Sequence, residues 1–448
     1  MNQKDFTNGN IMKQLIVFST PIIFTNLLQT SFQLIDSLWI GYLLGDVALG
    51  AVSVSATVIF TMLAFMIGLN QATMTILSQK KGMEDEEGIK RFINAFVVLF
   101  IILASVIGIS GYVSSEWILT ALTTPSSMIV GANSYLQIHF MGVIFLFGYN
   151  FIGTLFRSLG DSRTPVRFVA AAVICNTFLD PLFISYFQMG IDGAAYATIV
   201  SQGIAFLYGG FLAVRKKLIP FIKLSIPQKG EVVTILKLGI PASLQMTVVT
   251  GGVMAIMSVV TPFGEEVVAG YAAAQRLDSL IMLPAFALST AVTSMAGQNI
   301  GARNWERVNK IAKYGTLYNF LVMTMIACVV VFVGQNGVEW FVRQESAISF
   351  GTSYLTTIAF FYPFLGINFM LNGILRAAGA MYPVLILNIL SFWLLRYPIT
   401  YWVSSLIGED GIAIGIAISF VISSLLVLVY YQKGRWREKK IFEDKEKM

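Results

Sequence analysis

Three carboxyl groups stand inside long apolar stretches of this 448-residue chain, where a charge is costly: Asp36, Asp180 and Asp278. A charged side chain at the centre of a bilayer costs ~2.5 to 3.5 kcal/mol on insertion scales, so each acid needs a polar partner or a wet cavity. Desolvation disfavours the charged form of a carboxyl group, and a second carboxylate nearby disfavours it further. We therefore expect Asp36 and Asp180 to be able to hold a proton near neutral pH.

The stretch that surrounds Asp36, residues 21–41, is apolar and long enough to cross a bilayer. Counting back from Asp36, polar amides recur at steps of three or four residues, at Gln33, Gln29 and Asn26. Such spacing places them on one face of a helix. We expect this polar stripe to face protein or a substrate cavity rather than lipid.

Asp180 also has polar residues near it in the sequence. Asn176 lies one helical turn earlier and Pro181 follows directly. A proline lacks a backbone N–H, so it permits a bend next to the acid. In the next apolar stretch, Thr198 and Gln202 offer a hydroxyl and an amide that could face the same cavity. This combination suggests a site that can rearrange.

For two other polar residues within apolar stretches, Asp278 and His139, we predict a structural role. Asp278 is expected to pair within its own region, because Arg276 lies nearby in the same stretch and Arg396 could also pair with it. His139 is the only histidine, and a lone histidine of this kind is more often a packing residue than a proton relay.

The methionines add candidates for an adaptable apolar pocket, since methionine repacks easily. The candidates are Met246, Met254 and Met257, although a packing or lipid-facing role stays open for each. Motifs for metal binding, nucleophilic catalysis or phosphate binding are not found, so we predict neither an enzyme nor a cofactor or bound metal.

The composition places the chain among membrane proteins. Hydrophobic residues make up 56% and charged residues 12%, against roughly 25% charged in soluble domains. The basic residues lie between apolar stretches, so the net charge of +6 does not indicate a nucleic-acid partner. Hydropathy and punctuation predict an all-α fold with membrane spans at residues 14–43, 47–78, 92–113, 128–156, 165–187, 193–214, 232–260, 265–299, 310–333, 347–375, 382–405 and 411–431.

The basic residues also orient the spans. With the N-terminus in the cytoplasm, all but three of the 30 Lys and Arg residues fall in cytoplasmic segments. The exceptions are Arg343 in an outside loop and the two arginines within spans, Arg276 and Arg396. This bias predicts that both termini are cytoplasmic and that the number of spans is even.

The two halves of the chain resemble each other. Pro21 and Pro241 open comparable spans, and Gln79-x-x-Gly82 matches Gln298-x-x-Gly301. Repeats with six spans each are parallel, related by an axis along the membrane normal, as in transporters whose halves rock about a central site. We predict an N-terminal lobe at 1–217, a cytoplasmic linker at 218–230, a C-terminal lobe at 231–432 and a basic tail at 433–448.

These features resemble the MATE family of multidrug and toxic compound extrusion transporters, and within it the DinF-like branch. The resemblance covers nearly the whole chain and rests on QLIDSLWIG around Asp36, LFRSLGD, ILRAAGA and NTFLDP. It implies a proton or cation site in the N-terminal lobe, with Asp36 and Asp180 as the protonatable pair and Asn176 and Thr198 as hydrogen-bonding partners.

One departure from the family bears on the coupling ion. The NorM branch has acids in spans seven and ten at a sodium site, whereas residues 232–260 and 347–375 contain no acid. The sequence therefore predicts a monomeric exporter of amphipathic, cationic compounds in the bacterial inner membrane, driven by protons rather than sodium. Sodium coupling, a lipid-linked precursor flippase and a non-transporting scaffold or receptor are the alternatives.

Overall fold

The computed structural model describes residues 5–218 and 225–442, and these fold into helices and connecting loops without a strand among them. Residues 219–224 of the predicted linker and 443–448 of the predicted tail lie outside this part of the chain, as do residues 1–4. The α-helices are α1 Ile11–Leu44, α2 Asp46–Gly82, α3 Glu86–Ala121, α4 Ser126–Met141, α5 Val143–Ser158, α6 Arg163–Pro181, α7 Gly190–Arg215, α8 Lys229–Val260, α9 Glu265–Ile281, α10 Leu283–Gly301, α11 Trp305–Glu339, α12 Glu345–Ala359, α13 Tyr362–Ala377, α14 Met381–Ile389, α15 Tyr397–Ile407 and α16 Asp410–Lys433.

The predicted number of spans is confirmed. Within residues 5–218 and 225–442, ten helical segments are long and apolar enough to cross a membrane, and two bent pairs bring the total to 12. The bent pairs are α4 with α5, at 52°, and α12 with α13, at 54°, and the sequence predicted each as one unbroken span. The predicted all-α membrane fold is therefore observed, with a bend at the equivalent place in each half.

Two segments of π-helix interrupt spans at prolines. After Asp180, α6 ends at Pro181 and continues as the π-helical turn Leu182–Tyr186. A wider turn accommodates the missing backbone donor, and such turns are frequent at functional sites. The second segment, Leu390–Arg396, joins α14 to α15. The bend expected from Pro181 thus takes the form of a local change in helix type next to the acid.

The chain forms two compact units that largely follow the halves of the sequence. The first holds Thr20–Gly239, and the second holds Asp5–Ser19 together with the residues from Ile240 onwards. The start of α1 therefore belongs to the second unit and the start of α8 to the first. Residues 5–19 and 231–239 thus each lie in the unit that holds most of the other half, and the lobe boundaries given from the sequence stay a prediction.

Specific contacts hold each exchanged segment in its unit. In the second unit, the N–H of Phe6 donates to Gln298 Oε1 at 3.1 Å, and Asn299 Nδ2 donates to the Phe6 carbonyl at 3.0 Å. In the first unit, Asn94 Nδ2 donates to the Ser225 carbonyl at 2.8 Å, and the Ser225 N–H donates back to Asn94 Oδ1 at 3.1 Å. Buried amide side chains thus bind the segments that precede α1 and α8.

A polar cluster at the cytoplasmic ends of α5, α6 and α7 holds these three helices of the first unit together. Asp180 lies on α6 and Thr198 lies on α7. Asp161 is buried between α5 and α6 and accepts hydrogen bonds from the Thr164 hydroxyl at 2.7 Å and from Lys216 Nζ at 2.5 Å. Burial acts to raise the pKa of Asp161, but the bonds from Lys216 and Thr164 hold the pKa below its ordinary value of 3.8. The charged form of Asp161 is therefore the one that stabilises this cluster.

We expect Lys216→Met to destabilise the protein by about 1 to 3 kcal/mol, because it removes a charged hydrogen bond to a buried carboxylate. The deficit should be constant from pH 8 to 5, where Asp161 is ionised in both the folded and unfolded states. It should shrink only as the pH falls below 3.8 toward the depressed pKa of Asp161. Melting curves in detergent measure this, with Lys217→Met, a change at the exposed neighbouring lysine, as the control. An equal loss in both variants would contradict the assignment.

Candidate functional site

A cavity of about 540 Å³ lies within the first unit, between helices α1, α2, α4, α5, α6 and α7. Its wall is mostly apolar: α2 and α6 contribute only apolar side chains, whereas the polar ones come from α1, α4, α5 and α7. Cavities of this size hold drug-sized molecules. The polar residues of the wall are Gln29, Gln33, Asp36, Ser37, Tyr135, His139, Tyr149, Asn150, Thr198 and Gln202.

Asp36 forms part of this wall. Its side chain is 8% exposed, and its Oδ1 accepts a hydrogen bond from the Thr198 hydroxyl at 3.3 Å. In the described part of the chain, no Lys, Arg or His forms an ion pair with Asp36. A carboxyl group in a span without a positive partner is a functional candidate, since its charge is not compensated by the fold.

Asp180 lies next to this site in the protein interior and does not line the cavity. It is fully buried, and its Oδ1 accepts a hydrogen bond from Asn176 Nδ2 at 2.9 Å. Its other oxygen, Oδ2, is buried and has no hydrogen-bond partner among the described residues. The charge of Asp36 acts on Asp180, and the charges of both acids act on Tyr135. The two acids predicted from the sequence therefore form one electrostatic unit with Asn176 and Thr198.

The polar stripe of α1 accounts for much of the wall. Gln29 and Gln33 line the cavity together with Asp36, and Gln202 of α7 lines it as well. Asn26, one turn nearer the cytoplasm, is half-buried and does not line it. The stripe predicted from the sequence thus reaches the cavity over its last three members.

The methionine candidates Met246, Met254 and Met257 lie on α8, in the second unit. Met246 is half-buried, whereas the side chains of Met254 and Met257 are exposed. None of the three lines the cavity of the first unit. Their role as substrate contacts stays a prediction.

The structure brings into the wall three polar residues on α4 and α5 that the sequence analysis did not single out, Tyr135, Tyr149 and Asn150. His139, which we expected to be a packing residue, also lines the cavity. A usable signal was present, because Tyr135 and His139 are four residues apart and share one face of α4. The bend between α4 and α5 hid the rest of the pattern.

Comparison with known proteins agrees with this architecture. The MatE family model matches residues 21–182 and again residues 241–402. The chain belongs to the MatE family. The two matches are offset by 220 residues, which is the spacing of Pro21 and Pro241 in the sequence. As a member of this family, the chain is a multi-pass transporter of the bacterial inner membrane and not an enzyme.

Several relatives in the MatE family cover nearly the whole chain. "Probable multidrug resistance protein YpnP" of Bacillus subtilis is 56% identical over 445 residues, which is 99% of this chain and 100% of that protein. A protein of Shewanella oneidensis named "FAD transporter" is 23% identical and covers 95% of each chain. The structure of the Vibrio cholerae MATE transporter VcmN in the bent form has a TM-score of 0.91 at 22% identity, covering 97% of this chain and 99% of that one. The last likeness shows the shared fold.

The second unit of this MatE chain has a half-buried acid in a different setting. Asp278 accepts a hydrogen bond from the Tyr362 hydroxyl at 2.5 Å, rather than pairing with an arginine as the sequence suggested. Arg276 is exposed and stacks on Phe341, with 5.4 Å between the guanidinium carbon and the ring centroid. Among the described residues, no ion pair joins Asp278 to either arginine.

Arg396 is buried in the second unit between two aromatic rings. Its guanidinium carbon lies 4.0 Å from the ring centroid of Phe392 and 4.8 Å from that of Phe420, and its Nε donates to the Ser419 hydroxyl at 3.3 Å. Stacking on aromatic faces offsets part of the cost of burying the charge. Neither Arg396 nor Arg276 lines the cavity described above, so that cavity offers no arginine for a pyrophosphate group.

Proposed function

We propose that this MatE protein is a proton-coupled antiporter that exports amphipathic, cationic organic compounds by alternating access. The observation that carries the proposal is Asp36 itself. Its carboxyl group stands in the wall of a drug-sized cavity, is held by Thr198, has no basic partner in the described chain, and lies within electrostatic reach of Asp180. A proton and a cation can both neutralise such a group, and only one of them can do so at a time.

The cavity wall supports the substrate class. Phe32 and Phe60, together with aliphatic side chains, provide an apolar surface for aromatic or alkyl groups, and Asp36 provides a single negative charge. This combination favours a lipophilic cation over an anion. The name of the Bacillus subtilis relative, a probable multidrug resistance protein, points the same way. FAD, the compound in the name of the Shewanella oneidensis relative, is an anion. It does not fit a wall whose charged residue is the acid Asp36.

The transport cycle follows from competition at Asp36. Facing the cytoplasm, the ionised carboxylate attracts the cation. Facing outside, a proton neutralises Asp36, the attraction is lost and the cation leaves. Asp180 sharpens this exchange, because two neighbouring carboxylates resist being ionised together and so favour retention of a proton. We propose that the π-helical turn after Asp180 and the polar stripe of α1 allow this rearrangement.

The available energy is sufficient. One proton entering the cell gains ~2.3 kcal/mol per 100 mV of membrane potential and ~1.4 kcal/mol per pH unit. A monovalent cation that leaves for each proton cancels the electrical part, so a one-for-one exchange is driven by the pH difference alone. The substrate charge and the proton number must therefore be determined together.

Three further features belong to this proposal. The site lies in the first unit, as in the DinF-like branch that the sequence resembles, and spans seven and ten lack the acids of a sodium site. The cavity is built within one chain, so we propose that the monomer is the transporting species. We also propose that the two units act as the N-terminal and C-terminal lobes of the cycle.

The choice of coupling ion can be tested with purified protein in liposomes. A pH gradient and a sodium gradient of equal size are imposed separately, with the membrane potential clamped at zero, and uptake of a fluorescent lipophilic cation is followed. We expect accumulation with the acidic lumen in sodium-free buffer and no accumulation with the sodium gradient. Accumulation that requires sodium at every pH would overturn proton coupling and leave the transport of drugs intact.

A further inference from the structure

His139 occupies a fixed position at the end of α4, in the last turn before the bend. Its side chain is 7% exposed, and its ring nitrogen Nδ1 lies 2.9 Å from the carbonyl oxygen of Tyr135. Because a carbonyl oxygen can only accept a hydrogen bond, Nδ1 must carry the hydrogen. The tautomer of the ring is therefore set by the helix that carries it.

The plane of the ring is also fixed. The rings of His139 and Tyr135 lie with their centroids 4.3 Å apart and their planes 32° from parallel. Stacking of this kind and the bond at Nδ1 together hold the imidazole in one orientation. The ring is therefore preorganised, and a ligand that meets it does not have to order it.

The second ring nitrogen, Nε2, is the one available to a ligand. His139 lines the cavity, and Nε2 has no hydrogen-bond partner among the described residues. No described carboxylate forms an ion pair with the ring, and an unpaired buried charge is costly, so the imidazole is neutral. In the neutral ring with its hydrogen on Nδ1, Nε2 presents a lone pair and acts as an acceptor.

We propose that His139 determines substrate specificity, its Nε2 accepting a hydrogen bond from an N–H of the bound cation. The ligand class is the protonated amines and amidines, which carry both a positive charge and an N–H donor. Asp36, in the same wall, attracts any cation, whereas His139 stabilises only those that can donate a hydrogen bond. This inference rests on the proposed function, since it concerns the cation that the cavity carries.

The test compares two cations that differ at one position on nitrogen, where a methyl group replaces the donor hydrogen: a lipophilic tertiary amine, protonated at neutral pH, and its N-methyl quaternary derivative. Their dissociation constants are measured by fluorescence with purified protein in lipid nanodiscs at pH 7. A hydrogen bond between a neutral acceptor and a charged donor corresponds to about tenfold in affinity. We expect the wild type to prefer the tertiary ammonium ion by about that factor.

Two variants separate recognition from folding. His139→Phe keeps an aromatic ring on Tyr135 but removes both nitrogens, and we expect the ratio of the two dissociation constants to fall from about ten to about one. His139→Gln places an amide oxygen within similar reach, and we expect it to restore most of the preference. Equal weakening of both cations in His139→Phe, or no preference in the wild type, would overturn the inference. Neither result affects the ion-gradient experiment, which tests the proposed function separately.

Discussion

Replacing Asp36 by Asn is expected to abolish uphill transport. With the membrane potential clamped and a pH difference of two units, a one-for-one exchange can accumulate substrate about 100-fold, since each unit supplies ~1.4 kcal/mol. The Asn side chain has nearly the same shape and can still accept the hydrogen bond from Thr198 that the structure shows. It can neither carry a charge nor exchange a proton, so the accumulation ratio should fall to about 1.

This result is measured as the steady-state ratio of substrate inside and outside the liposomes. Asp46→Asn is a suitable control, because Asp46 is an exposed acid just beyond the end of α1 and outside the cavity. The control should accumulate substrate as the wild type does. A wild-type ratio in Asp36→Asn under the pH gradient would show that the proton travels by another route.

The second large effect is expected at Asp180. In Asp180→Asn the new amide oxygen can still accept the bond from Asn176, so the local structure should persist. The second carboxyl group of the site is lost, and with it the neighbour that we propose to share the proton with Asp36. We expect the initial rate of pH-driven transport to fall by at least about tenfold, equivalent to 1.4 kcal/mol or more of coupling.

The double variant Asp36→Asn with Asp180→Asn decides whether the two acids act as one unit. Residues that work together show strongly non-additive effects. We therefore expect the double variant to be no more impaired than Asp36→Asn alone in the liposome assay. Additive losses would indicate two independent proton sites. Thermal stability of all three variants, measured in the same detergent, controls for misfolding.

Much of this architecture was predictable because a membrane imposes simple rules on sequence. Long apolar stretches separated by basic loops gave the spans. The match of the MatE model at an offset of 220 residues reflects the repeat visible in Pro21 and Pro241 and, at an offset of 219, in Gln79 and Gln298. Asp36 and Asp180 were found for the same reason, since a carboxyl group in a span is rare enough to be informative. Thr198 and Asn176 followed from their proximity in sequence and from the family resemblance.

Other features depended on tertiary structure that no local pattern encodes. The bend between α4 and α5 has no proline at the break, so one continuous span was the natural expectation. That bend brings Tyr149 and Asn150 into the same wall as His139. The partner of Asp278 was also unexpected, because a tyrosine more than 80 residues away is closer than the arginine two positions before it. Residue type and distance along the sequence therefore could not show whether the tyrosine or the arginine is the partner of Asp278.

The start of α1 lies in the second unit and the start of α8 in the first, and the sequence did not predict this for a similar reason. Phe6 is a single apolar residue in a polar segment, and its buried position depends on Gln298 and Asn299 nearly 300 residues later. The matched glutamines at 79 and 298 were visible in the sequence as a repeat, but what they bind was not. Only packing assigns the start of α1 to the second unit.

The central claim is that outward movement of the cation and inward movement of a proton are one event at Asp36. The most direct measurement loads liposomes with substrate at equal pH on both sides, in sodium-free buffer, and follows the lumenal pH with a trapped dye as substrate leaves. In the wild type, we predict that proton entry acidifies the lumen in step with substrate efflux, and that Asp36→Asn shows no pH change. Substrate efflux from wild-type liposomes at constant lumenal pH would contradict proton exchange.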